Sequence, residues 1–281
     1  MITRCFQGAL AAVVLFTGCY QAAEKAPTPT PSPQTPFTVS PDTLLERRVL
    51  YYPNKKSYGS RPSGVETLEL LTADGLTLKA WHLPNESATT ILVYFHGNGG
   101  NLTSLVSQFH AFKKLEVEVL AIDYRGFGDS QGDPSEEGLY LDALAAFDKA
   151  KELSPNKKVV LYGRSLGGGV ASYVATQRPA DGLILESTFT SAKEVARFSH
   201  GERGAEAIDA FDSLSRLADY QGPTLIFHGT QDKTIPSRMS QQLHKAIPNS
   251  KLWLVEGATH NDLRKIAKDE YFTRLRQFLK L

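Results

Sequence analysis

The run Val159-Val160-Leu161-Tyr162-Gly163-Arg164-Ser165-Leu166-Gly167 constrains the fold more than any other stretch of the chain. An apolar, strand-like segment leads into Gly-x-Ser-x-Gly, and a segment of helical periodicity follows, so the serine stands at a sharp strand-to-helix turn. Such a turn holds the serine in a strained backbone conformation with Oγ pointing outward. Small residues two before and two after it let neighbouring backbone pass close. The helix that starts there aims free N–H groups at any negative charge forming near Oγ. This is the context of a nucleophile elbow.

The rest of the chain reads as a fold that can carry such a turn. From Val65 onward short apolar runs alternate with helix-like segments, the pattern of a mostly parallel sheet covered on both faces. Eight strands are expected, over residues 65–71, 76–83, 90–95, 117–123, 158–162, 182–186, 224–228 and 251–255. The first two alternate with period two around Asp74-Gly75 and read as an antiparallel hairpin. The connections between the other six are long enough for crossover helices. Helices are expected over residues 135–153 and 165–176, with two more over 237–246 and 261–279. No internal repeat or second domain stands out.

In an open α/β sheet the ligand lies at the carboxyl ends of the strands. Four polar sets follow strands here: His96-Gly97-Asn98-Gly99-Gly100-Asn101, then Ser165, then Gly229-Thr230-Gln231-Asp232, then Gly257-Ala258-Thr259-His260. The order Ser, Asp, His together with this context resembles the α/β-hydrolase fold, from about residue 65 to the C-terminus. Within that superfamily the chain is most similar to the compact Bem46-like serine hydrolases. Further stretches that carry the likeness are Asp123-Tyr124-Arg125-Gly126-Phe127-Gly128, Pro134-Ser135-Glu136-Glu137-Gly138-Leu139-Tyr140, Gly163-Arg164-Ser165-Leu166-Gly167-Gly168, Glu186-Ser187-Thr188-Phe189-Thr190-Ser191 and His228-Gly229-Thr230-Gln231-Asp232. The resemblance implies an eight-stranded, mostly parallel sheet flanked by helices, with a small or minimal cap between Glu186 and Thr224.

The chemistry explains these residue types. A serine hydroxyl is a poor nucleophile at neutral pH, so an imidazole must take its proton during attack on an acyl carbonyl, and His260 is the candidate base. Asp232 would hold the ring tautomer. The oxyanion would meet the N–H of Leu166, the residue after the nucleophile, and a second N–H from the loop after the third strand. By resemblance that second donor is Asn98. Glu186 also ends a strand and is the alternative acid.

Other polar residues have plainer readings. His96 and His228 precede glycines at strand ends and read as structural turn residues, Asp123 and Arg125 as a structural ion pair or turn residues. Arg164 reads as surface cover, with substrate contact as the alternative. His82, His110, His200 and His244 show no metal-ligand spacing, and no metal or cofactor is expected. Phe189, Phe198 and Phe211, with Gly201 and Gly204, fall in the short cap region, which predicts an open site for modest acyl groups.

The sequence thus predicts a serine hydrolase of the esterase type acting on a small acyl substrate, an ester or thioester. A peptidase or amidase on the same three residues and a binding protein that retains the fold are the alternatives. Nucleotide binding fails on the pattern: Leu102 occupies the last glycine position of G-x-G-x-x-G after Gly97.

Composition agrees with one sizeable core: 281 residues, 41% hydrophobic and 22% charged. A net charge of +1 without long blocks of like charge shows no nucleic-acid footprint. Residues 1–18 differ, with a positive start at Arg4 and a short apolar run, and Leu15-Phe16-Thr17-Gly18-Cys19 resembles a bacterial lipoprotein box. The resemblance implies cleavage before Cys19, lipidation of Cys19 and an exported protein anchored to a membrane. Cys5 and Cys19 are the only cysteines, so residues 41–281, the expected hydrolase domain, hold none. Residues 19–40 carry alternating prolines and read as an extended spacer.

Overall fold

The computed structural model describes residues 50–280. The expected leader, Cys19 and the proline-rich spacer lie outside them. Eight strands are present among the described residues: β1 (Glu66–Leu71), β2 (Thr77–Leu83), β3 (Thr90–Phe95), β4 (Glu118–Ile122), β5 (Lys158–Arg164), β6 (Gly182–Glu186), β7 (Thr224–Gly229) and β8 (Ser250–Val255). They form one sheet in the order β1-β2-β4-β3-β5-β6-β7-β8. β1 and β2 form the expected antiparallel hairpin, and β2 also runs antiparallel to β4. Every other neighbouring pair is parallel.

Because side chains alternate across a strand, each central strand feeds two cores. Ile91, Val93 and Phe95 of β3 pack on one face with helix α2 (Glu136–Leu153), through Leu139 and Phe147, and with α3 (Leu166–Gln177), through Val170 and Val174. Leu92 and Tyr94 face the other way, toward Phe109 and Phe112 of α1 (Val106–Lys113) and Tyr271, Leu275 and Phe278 of the C-terminal helix. That double burial is why β3 to β7 read as nearly continuous apolar runs. Truncating a fully buried ring such as Phe109 to alanine costs about 3–5 kcal/mol.

The helix over residues 135–153 is capped by Ser135, whose hydroxyl accepts from the N–H of Gly138 at 3.0 Å. The single helix expected over 261–279 is instead two, α7 (Leu263–Ala267) and α8 (Asp269–Leu279). Lys268 separates them at φ 50°, a left-handed conformation that ends one helix, and Asp269 and Glu270 supply the acidic first turn of the next. The remaining α-helices among the described residues are α4 (Ala192–Glu206), α5 (Ser213–Leu217) and α6 (Arg238–Ala246), and a 3-10 turn spans Leu102–Leu105. The sequence reading assigned neither α1, α4 nor α5. α4 buries only Ala192, Ala196 and Ala205 and is interrupted at Gly201, so no long apolar stripe marks it.

Chain order and spatial order part company at β3. From there the chain goes out to β4 on one side and returns to β5 on the other, which makes the β3/β5 boundary a topological switch point. Phe95 at the end of β3 is in register with Gly163 of β5, so the loop carrying Asn98 and the turn carrying Ser165 open side by side.

Candidate active site

Ser165 joins β5 to α3 at φ 53°, ψ −119°, the strained elbow the sequence predicts, at a cost of about 1–3 kcal/mol. Its N–H donates to Glu186 O at 2.9 Å, and Thr188 Oγ1 donates to its carbonyl at 2.8 Å, so β6 and the residues after it hold the turn. The flanking glycines are required by close approach. A Cβ on Gly163 would stand 2.2 Å from Gly167 O, and one on Gly167 would stand 2.1 Å from Phe95 O. Leu166 is the first residue of α3, and its N–H belongs to the free first turn.

Asp232 follows β7 and His260 follows β8, and the fold brings both to Ser165. His260 Nε2 lies 3.2 Å from Ser165 Oγ, and His260 Nδ1 lies 2.7 Å from Asp232 Oδ2. An ionised carboxylate only accepts, so Nδ1 carries the proton and the Nε2 lone pair faces the serine. The other carboxylate oxygen, Oδ1, accepts the backbone N–H groups of Thr234 and Ile235, each at 2.9 Å. Burial pushes this carboxyl up. Hydrogen bonds from His228, His260 and the Ile235 N–H outweigh that and hold it below the usual carboxylate range.

His228 does more than the turn role expected of it. Its Nε2 lies 2.8 Å from Ile235 O and 3.1 Å from Asp232 Oδ2, while Nδ1 lies 2.6 Å from Ser240 Oγ. Ile235 O can only accept, so Nε2 bears the proton and is shared with Asp232. The ring is fully buried and shares with His260 the same carboxylate oxygen, Oδ2. Its position four residues before Asp232 was the only signal in the sequence. His96 keeps to local bonding, with Nδ1 2.8 Å from Gly97 O.

Glu186, the alternative acid, is engaged by other partners. Its carboxylate accepts from the hydroxyls of Tyr162 and, at 3.0 Å, Tyr271, and its other oxygen lies 3.4 Å from Arg164 Nε. Arg164 is not surface cover: its Nη2 donates to His260 O at 2.8 Å and to Asn261 Oδ1 at 2.7 Å. Asp123 and Arg125 are structural, as expected, but not with each other. Asp123 accepts the N–H of Leu102, whereas Arg125 bridges Asp142 and Asp74.

Beside Ser165 and His260 opens a cleft of about 430 Å³. Phe189, Ala192 and Val195 line it from the start of the cap, with Ile208 and Phe211 beyond, and Arg164 and Asn261 give it a polar edge. Phe189 and Phe211 are also core residues, while Phe198 is exposed and lies under the Arg238 guanidinium. The side chain of Asn98 bonds to the backbone of residues 50 and 52, and no group among the described residues accepts its backbone N–H.

This sheet order, elbow and strand-end site define the α/β class of hydrolases, and comparison with known proteins agrees. The family model described as "Serine aminopeptidase, S33" matches residues 86–208, and the one described as "alpha/beta hydrolase fold" matches residues 200–263. An uncharacterized protein of Mycobacterium tuberculosis is 32% identical over 248 residues, 83% of this chain and 87% of that protein. The α/β-hydrolase domain-containing protein aho-3 of Caenorhabditis elegans is 35% identical over 202 residues, 70% of this chain and 59% of that protein. Among solved structures, the Pyrococcus furiosus esterase Pf2001 superposes with a TM-score of 0.71 at 19% identity, over 82% of this chain and 97% of that one. An esterase from Exiguobacterium antarcticum gives 0.62 at 18%, over 77% and 100%. The chain belongs to the α/β-hydrolase family.

Proposed function

We propose that the protein is a serine hydrolase that cleaves a carboxylic ester, or a thioester, of a small acyl substrate. What carries this reading is the hydrogen-bonded chain from Ser165 Oγ through His260 to buried Asp232, at the mouth of an apolar cleft. In this scheme His260 Nε2 takes the proton of Ser165 as Oγ bonds to the acyl carbon. The oxyanion receives the N–H groups of Leu166 and Asn98, each worth about 3 kcal/mol in the transition state. Collapse expels the alcohol or thiol with the proton from His260. Water, deprotonated by the same ring, then releases the acid and restores Ser165. The apolar wall of Phe189, Val195 and Ile208 takes the acyl chain, and the scheme uses no cofactor.

The family model over residues 86–208 favours a second reading, an aminopeptidase or amidase on the same residues, because protonated His260 could serve an amine leaving group. Both readings are tested by assaying p-nitrophenyl esters of increasing acyl length beside aminoacyl p-nitroanilides, in buffer with chelator. A fluorophosphonate probe reports the nucleophile. The expected result is ester turnover and labelling in the parent, and neither in Ser165→Ala. Activity retained by Ser165→Ala would sink the mechanism, and faster anilide than ester cleavage would favour the amidase.

The proposal extends to location: an exported lipoprotein cut before Cys19 and held at a membrane by lipid on that residue. No helix among the described residues is long and apolar enough to cross a membrane. Metabolic labelling with a fatty-acid analogue should mark the parent and not Cys19→Ser.

A further inference from the structure

We propose that residues 50–58 are a working part of the site, a strap that positions the loop bearing Asn98 and forms one wall of the acyl cleft; this rests on the reading of Asn98 as an oxyanion donor. The loop from His96 to Asn101 holds three glycines and has little rigidity of its own. A donor helps only if it is aimed before the charge forms, because reorganisation during the reaction cancels the gain. Something outside the loop must therefore hold it.

The strap does so through two asparagine side chains. Asn98 Oδ1 accepts the N–H of Tyr52 at 2.8 Å, and Asn98 Nδ2 donates to Leu50 O at 2.6 Å. Only a side chain with donor and acceptor on one planar group can bridge a backbone in this way, and the amide of Asn98 fits where a carboxylate would lose the donor. Three residues on, Asn101 Nδ2 donates to Asn54 O at 2.8 Å and to Lys56 O at 2.9 Å. The strap itself is fixed to the body. Tyr51 is 3% exposed and packs edge-on against Phe211, with ring centroids 6.3 Å apart. Asn54 O also accepts the N–H of Gly128, and the N–H of Tyr58 donates to Thr103 Oγ1.

The same segment faces the substrate. Leu50 and Tyr52 line the cleft together with Asn98 and Ser165. Donor position and the width of the acyl channel are therefore set by one piece of chain, which lies outside the sheet and precedes its first strand. Asn98 is on this view two devices in one residue, a backbone donor toward the oxyanion and a side-chain clasp for the strap.

The test is a double-mutant cycle in the full-length protein, read with p-nitrophenyl acetate and octanoate. Asn98→Ala keeps the backbone N–H and removes the clasp, and Tyr52→Pro removes the N–H that the clasp accepts. Each should lower kcat, counted per active site by exhaustive fluorophosphonate labelling so that loss of folded protein drops out, about 10–100-fold with KM within about threefold. The double variant should be no more than about twofold slower than the slower single, since both cut one link. If Tyr52→Pro fails to fold, Tyr52→Ala replaces it: the backbone bonds stay and the wall goes, so the octanoate-to-acetate rate ratio should change at least about threefold. Parent-like kcat in Asn98→Ala, multiplicative losses in the cycle, or an unmoved chain-length ratio in Tyr52→Ala would overturn the proposal. A parent that neither turns over esters nor labels at Ser165 overturns the hydrolase reading and the strap with it. An active parent with a silent Asn98→Ala removes the strap alone.

Discussion

Arg164 Nη2 lies 2.8 Å from the backbone carbonyl of His260, so the residue before Ser165 grips the loop that carries the imidazole. The same nitrogen reaches Asn261 Oδ1, and Nε faces Glu186, whose carboxylate is fixed by two tyrosines. Arg164, the last residue of β5, thereby ties the position of Ser165 to that of the His260 loop. Arg164→Met should lower kcat/KM for p-nitrophenyl acetate about 10–100-fold. Arg164→Lys, with a point charge in place of a fork, should recover only part of that loss.

Asp232 and Glu186 both end up near the elbow, but only the first touches His260. Asp232→Asn would present an amide to Nδ1 and favour the wrong tautomer, so kcat should fall about 10³–10⁴-fold. Glu186→Gln keeps an acceptor for Tyr162 and Tyr271 and should stay within about threefold of the parent. A large loss in Glu186→Gln with Asp232→Asn still active, both proteins folded, would move the acid role to Glu186.

His228 tests whether the carboxylate needs its second imidazole. His228→Ala removes one donor from Asp232 and leaves Ile235 O and Ser240 Oγ without their partner in a fully buried site. The expected losses are about tenfold in kcat and about 1–3 kcal/mol in urea unfolding. His228→Gln, which restores an N–H donor, should regain part of the rate.

Gly163 has no room for any side chain. A Cβ there would meet Gly167 O, Gly167 C and Gly168 Cα within 2.6 Å, all backbone, so no side chain can swing clear. Gly163→Ala should cost about 3 kcal/mol by urea denaturation, with activity lost because the elbow must shift.

The Arg125 cluster gives a pH signature. Hydrogen bonds from Arg125 hold the Asp74 carboxyl down to about 2, against burial, from an ordinary value of 3.8. A lowered folded value means this contribution to stability is present above pH 3.8 and is lost as pH falls through about 2. The stability gap between parent and Asp74→Asn, read by thermal unfolding from pH 7 downward, should therefore narrow below about pH 4. Asp142, in contact with the same guanidinium, is pushed up to about 6 by burial, which outweighs Arg125. Its sign is opposite: its contribution is full below 3.8 and declines as pH rises through about 6.

Much of the fold was legible because it is local. Each of the eight strands appears where the apolar runs placed it, with ends shifted by no more than two residues, since burial on both faces demands such runs. The elbow was legible from its Gly-x-Ser-x-Gly pattern between strand and helix, although Gly167 answers to Phe95 of β3 and Ser165 to β6 as well as to their own turn. Helix 261–279 was misread because its apolar period continues through Lys268, and nothing in that period announces a residue at positive φ.

By itself, the sequence determined the alternation of strands and helices, the strained turn at Ser165 and the chain order of the three polar loops. Tertiary structure decided that β2 pairs with β4, that β3 lies beside β5, and hence that the Asn98 loop opens next to Ser165. It also decided that Asp232 meets His260 while Glu186 turns to Tyr162 and Tyr271, that Arg164 holds the His260 loop, and that residues 50–58 clasp Asn98. The physical reason is range. Periodicity reports which side chains leave water within one segment, but the partner of a polar strand end is chosen by packing and register among segments far apart in the chain.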